Sequence, residues 1–240
     1  PTAPPDAPVI SGVVADNQKL TIAFSAPAKD GGSAISGYKY QIQESGTWSI
    51  SRTVIGLPLV IDGLVNDQEY LVRILASNSG GDGAWSSEVS GKPFTTPAAP
   101  SISSITSGNG SLSVAYTVSN NGSAITATEY SLDAGASWIR SASITSPLVI
   151  NGLSNGTSYT PQIRFINAAG VGGATSWTGT PKIPFTTPFA PAITSVNSTA
   201  TSISLSFSIN NGGNAVTHVA YRLRSVSAAG ITNCSVSYSA

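Results

Sequence analysis

Acidic side chains are the most numerous groups in this chain that could carry acid–base chemistry. Two carboxyl groups facing each other across a sugar would form a glycosidase site, one acting as acid and the other as base or nucleophile. All 11 Asp and Glu residues lie before residue 134, however, and 9 of them lie within residues 1–96. Most of them occupy predicted loops or outward strand positions, among them Asp30, Asp62, Asp67, Glu69 and Asp82. We interpret these acids as solvated charges rather than as a catalytic pair.

Metal binding and nucleophilic catalysis have few candidate residues. The chain has one His, His218, and one Cys, Cys234, which cannot form a zinc site from the usual Cys and His ligands. Asp62, Asp67 and Glu69 lie close together, but their spacing does not match an EF-hand calcium loop. We therefore expect no metal and no cofactor. His218 is expected at a surface or strand edge, and Cys234 as a structural thiol, with an intermolecular disulfide as the alternative.

Glycine clusters and overall charge exclude further classes of function. Residues 80–83 and 170–173 are rich in Gly, but neither cluster ends in Lys followed by Ser or Thr, as a phosphate-binding loop requires. The formal net charge is zero and only 9% of residues are charged, so there is no basic surface for nucleic acid. No apolar run reaches the roughly 18 residues that a membrane-spanning helix needs. We expect a protein that is not an enzyme.

Tryptophan side chains are the remaining candidates for ligand contact, because an indole ring can stack against a sugar. Trp48 and Trp138 occupy one repeated position, while Trp85 and Trp177 each open a predicted last strand beside a Gly-rich turn. Repeated positions favour a shared packing role. Trp85 and Trp177 are kept as candidate carbohydrate contacts.

The elements that position these residues repeat along the chain. The segment that begins at Pro5 returns at Pro97 and again at Pro188, after 92 and then 91 residues. A period of this length is that of a small independent domain rather than of a solenoid repeat. It predicts three modules, the first at 1–96, the second at 97–187, and an incomplete third at 188–240.

Alternation of apolar and polar residues predicts strands within each module. Leu20, Ile22 and Phe24 alternate with small or polar residues, and Gly- and Asn-rich turns separate such runs. The fold class is therefore all-β, and seven strands per module indicate a β-sandwich. Pro161 lies within a predicted central strand and predicts a bulge or local irregularity there. The predicted strands of the first module are 8–14, 18–25, 36–44, 47–54, 57–62, 68–78 and 86–94.

Several motifs point to one domain family. Tyr70 and Tyr159 each lie six residues after a Leu, as in a tyrosine corner, where the hydroxyl bonds back to the preceding turn. Residues 30–38 and 130–138 have the loop and hairpin patterns typical of bacterial surface modules. Over nearly its whole length the chain resembles tandem fibronectin type III domains of the bacterial cell-surface or secreted type. The resemblance implies immunoglobulin-like sandwiches with Tyr70 and Tyr159 in structural roles.

The third module stops after its fourth predicted strand, because the chain ends at Ala240. Half a sandwich exposes its inner apolar face and its unpaired edges, so it is not expected to be stable alone. Two interpretations remain open. The natural chain continues past this residue, or identical subunits complete the third module by strand addition.

The function expected from these features is that of a non-catalytic, extracellular structural or spacer array. It would be part of a larger surface, filament or appendage protein that mediates assembly or adhesion. Short linkers containing Pro limit bending between modules, and the single Cys fits a bacterial surface, a filament or a virion. One alternative is an accessory, carbohydrate-associated array of a secreted polysaccharide-active enzyme; another is a phage tail or virion appendage. The expected partners are proteins, identical subunits among them, and glycans.

Overall fold

Short antiparallel strands joined by tight turns form the regular structure of this chain. The computed structural model describes residues 2–227 and 230–239, with side chains described as far as residue 222. No helix occurs in these ranges. The all-β prediction is confirmed, and every sheet falls within one predicted module, whose boundaries at residues 96 and 187 stay predictions.

Two facing sheets make up the first module. One has the strand order β1-β2-β6, and the other has β4-β3-β7-β8, with β5 also paired to β3 and β9 to β7. The strands are β1 (Val9–Asp16), β2 (Lys19–Ser25), β3 (Gly37–Glu44), β4 (Thr47–Trp48), β5 (Arg52–Thr53), β6 (Leu59–Asp62), β7 (Tyr70–Asn78), β8 (Gly81–Asp82) and β9 (Val89–Gly91). Since β4 and β5 share one strand position, as do β8 and β9, the sandwich has the seven predicted positions.

The second module repeats this arrangement. Its sheets have the orders β10-β11-β14 and β13-β12-β15-β16, with β17 also paired to β15. The strands are β10 (Ser101–Gly108), β11 (Ser111–Thr117), β12 (Ala127–Ser131), β13 (Ile139–Arg140), β14 (Leu148–Asn151), β15 (Gln162–Asn167), β16 (Gly170–Val171) and β17 (Thr175–Ser176). The same strand order in both modules confirms tandem immunoglobulin-like sandwiches.

The third module has two strand pairs in its described part, β18 with β19 and β20 with β21. These strands are β18 (Ala192–Ser198), β19 (Ile203–Ser208), β20 (His218–Ser227) and β21 (Gly230–Ser239). Apolar residues of the first pair lie exposed, as expected for an incomplete sandwich: Ile193, Val196, Ile203 and Phe207.

Two apolar cores hold the complete modules together. In the first, Leu20 and Ile22 from one sheet pack with Val72 and Ile74 from the other, and all four side chains are fully buried. In the second, Leu112 and Val114 of β11 face Ile163 and Phe165 of β15, all four again fully buried. Burying an aliphatic or Phe side chain contributes roughly 1.5–3 kcal/mol, so facing β-strands of alternating pattern suffice to explain each sandwich.

Register irregularities repeat with the modules. The first strand shifts its pairing between Ile10 and Gly12, between Ile102 and Ser104, and between Ile193 and Ser195. In the first two modules the extra serine is satisfied locally, since Ser11 Oγ donates to Ala23 O and Ser103 Oγ to Ala115 O. The repeat seen in the sequence thus extends to a β-bulge at a fixed position.

Three strand predictions need comment. The predicted strand 47–54 divides into β4 and β5, and the predicted strand 86–94 shortens to β9. Near the second of these, Ile74 N donates to Ser86 Oγ at 3.0 Å, so a side chain replaces a regular ladder bond. The irregularity expected at Pro161 is present, because β15 starts one residue later and Tyr159 forms only an isolated bridge with Lys182.

Candidate functional site

The linkers between modules are held at both ends by consecutive backbone amides. Phe94 N donates to Asp16 O of the first module at 3.4 Å, and Thr95 N donates to Asn121 O of the second module at 3.1 Å. Because adjacent amide groups bind opposite modules, no free residue separates the first module from the second. The junction therefore has no flexible segment within the linker.

The second junction has the same hydrogen bonds. Phe185 N donates to Gly108 O of the second module at 3.0 Å, and Thr186 N donates to Gly212 O of the third module at 2.8 Å. Phe185 and Thr186 lie 91 residues after Phe94 and Thr95. The linker motif Phe-Thr-Thr-Pro is thus a structural unit that binds the modules on either side in one way.

A buried asparagine fastens the segment that enters each of the two complete modules. Asn167 at the end of β15 has 4% of its surface exposed, and its Nδ2 donates to Thr95 O at 2.7 Å and to Asn120 O at 2.9 Å. In the first module, Asn78 Nδ2 donates in the same way to Ala3 O and Asp30 O. A buried amide with two acceptors replaces the water that these carbonyl groups would otherwise bind.

The two loops that meet at each junction are defined by their residues. The junction loops connect the second and third strands of a module, at 26–36, 118–126 and 209–217. The corner turns, at 63–69 and 152–158, precede β7 and β15. Asp67 N and Gly156 N lie in the corner turns and donate to Pro93 O and Pro184 O, each at 2.9 Å.

Close packing between a corner turn and the next junction loop completes each junction. Gly122 has a φ of 95°, and a Cβ atom there would lie 2.6 Å from Pro93 O and 3.0 Å from Asp67 N. Gly213, with a φ of 94°, would overlap Gly156 N and Pro184 O in the same way. Glycine is required at both positions by this contact as well as by the left-handed backbone.

The two predicted corner tyrosines make equivalent hydrogen bonds. Tyr70 Oη accepts from Val65 N at 3.0 Å, and Tyr159 Oη accepts from Ser154 N at 3.1 Å. Each bond links the start of the sixth strand position to the corner turn before it, which is the geometry of a tyrosine corner. Because the corner turns contact the next module, these tyrosines support the junctions as well as the sandwiches.

Tryptophan rings of the first module stack on an arginine. The guanidinium carbon of Arg73 lies 4.0 Å from the ring centre of Trp48 and 4.8 Å from that of Trp85. Arg73 also donates to Gln41 Oε1 through Nε and Nη2. A cation between two indole rings is attracted to both ring faces, so one face of Trp85 is already occupied.

The second module has a similar stack, with one tryptophan ring on the arginine instead of two. Arg164 lies 3.9 Å from the ring centre of Trp138 and binds Glu129 Oε2 through Nη2 at 2.7 Å. Trp48 and Trp138 thus share a cation-stacking role in the two modules, in agreement with the packing role that their repetition predicts.

The interpretation that Trp85 and Trp177 are equivalent is wrong. Trp177 N donates to Pro161 O, and its side chain packs against the core of the second module. In the first module that place, opposite Val72 and against the core, belongs to Val89. Trp177 is therefore a partly buried residue packed against the core, with its Nε1 donating to Thr180 O and Lys182 Nζ 5.6 Å from its ring centre. Trp85 instead lies on the outward face of its sheet with Arg73.

Two of the acidic residues singled out from the sequence, Asp67 and Asp82, form separate ion pairs. Lys39 Nζ lies 2.7 Å from Asp82 Oδ2, and Lys92 Nζ lies 2.5 Å from Asp67 Oδ1. The hydrogen bond from Lys39, followed by that from Ser77, holds the pKa of Asp82 below its usual range. Among the described residues no three His, Cys, Asp or Glu side chains lie close enough to hold a metal ion.

The structure describes the side chain of His218 but not that of Cys234. His218 begins β20 at an exposed position, with its Nδ1 2.9 Å from Thr217 Oγ1. The prediction for the Cys234 thiol falls outside the described side chains.

In the part of the chain that the structure describes, no helix is long and apolar enough to span a membrane.

Comparison with known proteins finds similarity to a domain family, to a curated protein and to a solved structure. The family model for the fibronectin type III domain matches residues 3–92. A titin homolog from Caenorhabditis elegans is 30% identical over 186 residues, which is 71% of this chain and 1% of that protein. The crystal structure of the FN1–FN3 domains of chicken CNTN1 covers 76% of this chain and 69% of its own, at 20% identity and a TM-score of 0.36.

Strand order and junctions define a tandem array of immunoglobulin-like β-sandwiches. The first module is a fibronectin type III domain, which confirms the family resemblance for residues 3–92. Since the chain spans 1% of the titin homolog's length, that similarity concerns a stretch of modules and not the whole protein. The homolog is an animal protein, and the bacterial variety stays a prediction.

Proposed function

We propose that this chain is a non-catalytic structural array that holds its modules in a fixed mutual geometry. The observation that carries the proposal is the junction, where consecutive linker amides bind opposite modules and a glycine of the next module packs on the corner turn. Two junctions built alike would add modules in one repeating direction. Such an array fixes the distance and orientation between its two ends, which suits a spacer in a surface protein, a filament or an appendage.

The extracellular setting is part of this proposal. Many Ser, Thr and Asn side chains with only 9% charged residues make a hydrated surface of low nonspecific attraction. Stability from two apolar cores rather than from disulfides supports the bacterial surface or virion setting, since a single Cys gives no intrachain pair.

Inserting Gly-Ser-Gly between Phe94 and Thr95 tests the array function. We expect ¹⁵N relaxation to give one common correlation time for residues 8–94 and 100–184 in the unmodified chain. The insertion should shorten and separate the two correlation times. The same insertion between Ser45 and Gly46, in an exposed hairpin turn, is the matched control and should leave them coupled. Independent tumbling in the unmodified chain would refute the proposal.

Completion of the third module is a related proposal. The exposed apolar face of β18 and β19 includes Ile193, Ile203 and Phe207, and a shallow pocket between this face and β20 is also lined by Val219. Strands from an identical subunit would cover this face by strand addition. Sedimentation velocity of the 240-residue chain should then show a dimer that Phe207→Asp dissociates, whereas a monomer at all concentrations would refute the completion by a second subunit.

Carbohydrate contact, with or without an attached polysaccharide-active enzyme, is the second candidate function. It is favoured by the outward position of Trp85, beside a cation and next to the exposed strand β8. Trp85→Ala should abolish binding on a glycan array without loss of fold. Trp177→Ala is the matched comparison, because it removes a core contact and should lower stability instead. Absence of glycan binding by the unmodified chain would eliminate this candidate.

A further inference from the structure

The glycine turn in the junction loop of the first module has the same local geometry as the glycine turns of the two junction loops that are in contact with a preceding module. Gly32, Gly122 and Gly213 have φ values of 83°, 95° and 94°. Each of these amides donates to an Asp or Asn side chain two residues earlier, Gly32 N to Asp30 Oδ1 at 2.8 Å among them. The backbone of this turn is thus already arranged as it is where modules meet.

No described residue packs in front of Gly32. A Cβ atom at Gly122 or Gly213 would collide with the corner turn of the preceding module, whereas a Cβ atom at Gly32 would have no atom of the described residues within 4 Å. Gly32 is exposed, while Gly122 and Gly213 are half-buried. A shallow concave surface beside it is lined by Pro27, Lys29 and Ile35.

The segment before the first strand already follows the path of a linker. Ala3 N donates to Gly31 O at 2.8 Å, as Thr95 N donates to Asn121 O. Asn78 Nδ2 donates to Ala3 O at 2.8 Å, as Asn167 Nδ2 does to Thr95 O. A polypeptide that precedes Thr2 would therefore pass the first junction loop along the path that Phe94 and Pro93 take past the second junction loop.

We propose that the junction loop of the first module, residues 26–36, is a docking surface for another module joined ahead of Thr2 in the same polypeptide. The occupant would present a corner turn and the end of a last strand, with a left-handed residue like Asp67 or Gly156 and a carbonyl like that of Pro93. The contact is made by backbone against glycine, so the occupant is recognised by its fold more than by its side chains.

A second copy of the chain is a poorer occupant. Both corner turns that the structure describes are already in contact with the following module, at Gly122 and at Gly213. A separate molecule would also lack the linker hydrogen bonds, which hold the corner turn at high effective concentration. The inference rests on the proposed array function, because it extends the same junction in the opposite direction.

A chain extended by one module tests this proposal. Residues 97–183 are fused directly before Pro1 of the full 240-residue chain, so that Pro1 takes the place of Pro184. We expect amide hydrogen exchange in residues 26–36 to slow by about fivefold relative to the unextended chain, because docking suppresses local opening. Gly32→Asn in the extended chain should restore the faster exchange, whereas in the unextended chain it should change little, since Asn tolerates a left-handed backbone.

Gly122→Asn in the unextended chain is the internal reference and should speed exchange in residues 118–126. If the extension fails to slow exchange while Gly122→Asn has its effect, the docking surface is refuted and the array function stands. If neither change has an effect, both proposals fail. If adding a second copy of the unextended chain, without any fusion, also slows exchange in residues 26–36, the loop binds another molecule rather than a joined module. That result would overturn the proposal.

Discussion

Leu112 and Ile203 occupy the same place in the repeat, but their surroundings differ. Each lies in the second strand of its module and pairs with a first strand that carries the same β-bulge. Leu112 is fully buried between two sheets, while Ile203 is 57% exposed. Pairing between neighbouring strands therefore follows from local sequence, whereas burial needs strands that come much later in the module.

The strongest test of this comparison is a pair of core truncations. Leu112→Ala should lower the free energy of unfolding of the second module by about 2–5 kcal/mol, because it removes buried methyl groups and leaves a cavity. Ile203→Ala should cost less than about 1 kcal/mol, because its side chain is already largely in water. Chemical denaturation followed by hydrogen exchange of residues 101–117 and 192–208 measures each module separately. Equal losses at the two positions would show that the third module is covered in solution.

Truncation of the linker asparagines has the next largest expected effect. Asn167→Ala leaves the carbonyl groups of Thr95 and Asn120 without their donor and should cost about 1–3 kcal/mol. Its hydrogen exchange should rise in the linker around Thr95 as well as in the second module.

Asn78→Ala is the matched variant in the first module, where the carbonyl groups belong to Ala3 and Asp30. It should release the segment before β1 and leave the linker around Thr95 unchanged. Increased exchange in that linker from Asn78→Ala would contradict the assignment of each asparagine to the segment that enters its own module.

Removal of a corner hydroxyl should have a smaller effect. Tyr70→Phe and Tyr159→Phe each delete one hydrogen bond to a backbone amide of the corner turn, at a cost of about 1 kcal/mol. The two losses should be alike, because the geometry is alike in the two modules. Thermal unfolding of each variant measures them, and a loss at one position with none at the other would show that the complete modules are not equivalent.

A pH-dependent hairpin gives the smallest expected effect and tests a purely local element. Hydrogen bonds from Ser131, and then from Ser137, lower the pKa of Asp133 to about 2. Since the folded pKa lies below the ordinary value near 4, the hairpin gains stability above that value and loses it as the pH falls towards 2. An NMR titration of the Asp133 carboxyl carbon measures the midpoint. Asp133→Asn should remove the pH dependence of the hairpin, and a midpoint near 4 would show that the serines do not hold the carboxylate.

Local features of this fold could be predicted from the sequence, since strand alternation and turn residues act over a few positions. The alternation of Leu20, Ile22 and Phe24 correctly predicts a strand that buries one face, and Pro161 correctly predicts an interrupted one. The position of Trp177 could not be predicted from its spacing after the Gly-rich turn. The last strands of the two modules differ by one residue before they pair again with β7 or β15, and one residue moves a side chain to the other face of the sheet.

The junctions were missed for a different reason. Asn78 and Asn167 are recognisable as a repeated Asn at the end of a strand, but one partner of each, Ala3 O or Thr95 O, lies 72 or more positions earlier, in the segment that enters the module. The roles of Gly122 and Gly213 depend on contacts with another module. A comparison of the repeats that includes their polar residues and glycines indicates all four positions, Asn78, Asn167, Gly122 and Gly213.

The peptide bond between Phe94 and Thr95 is also a natural boundary for duplication. The backbone amide of Phe94 binds the first module, and that of Thr95 binds the second. A stretch of coding sequence cut at this bond and copied in tandem would bring both halves of each joint with it. The array could therefore lengthen or shorten by whole modules while every new joint formed from parts already matched to each other.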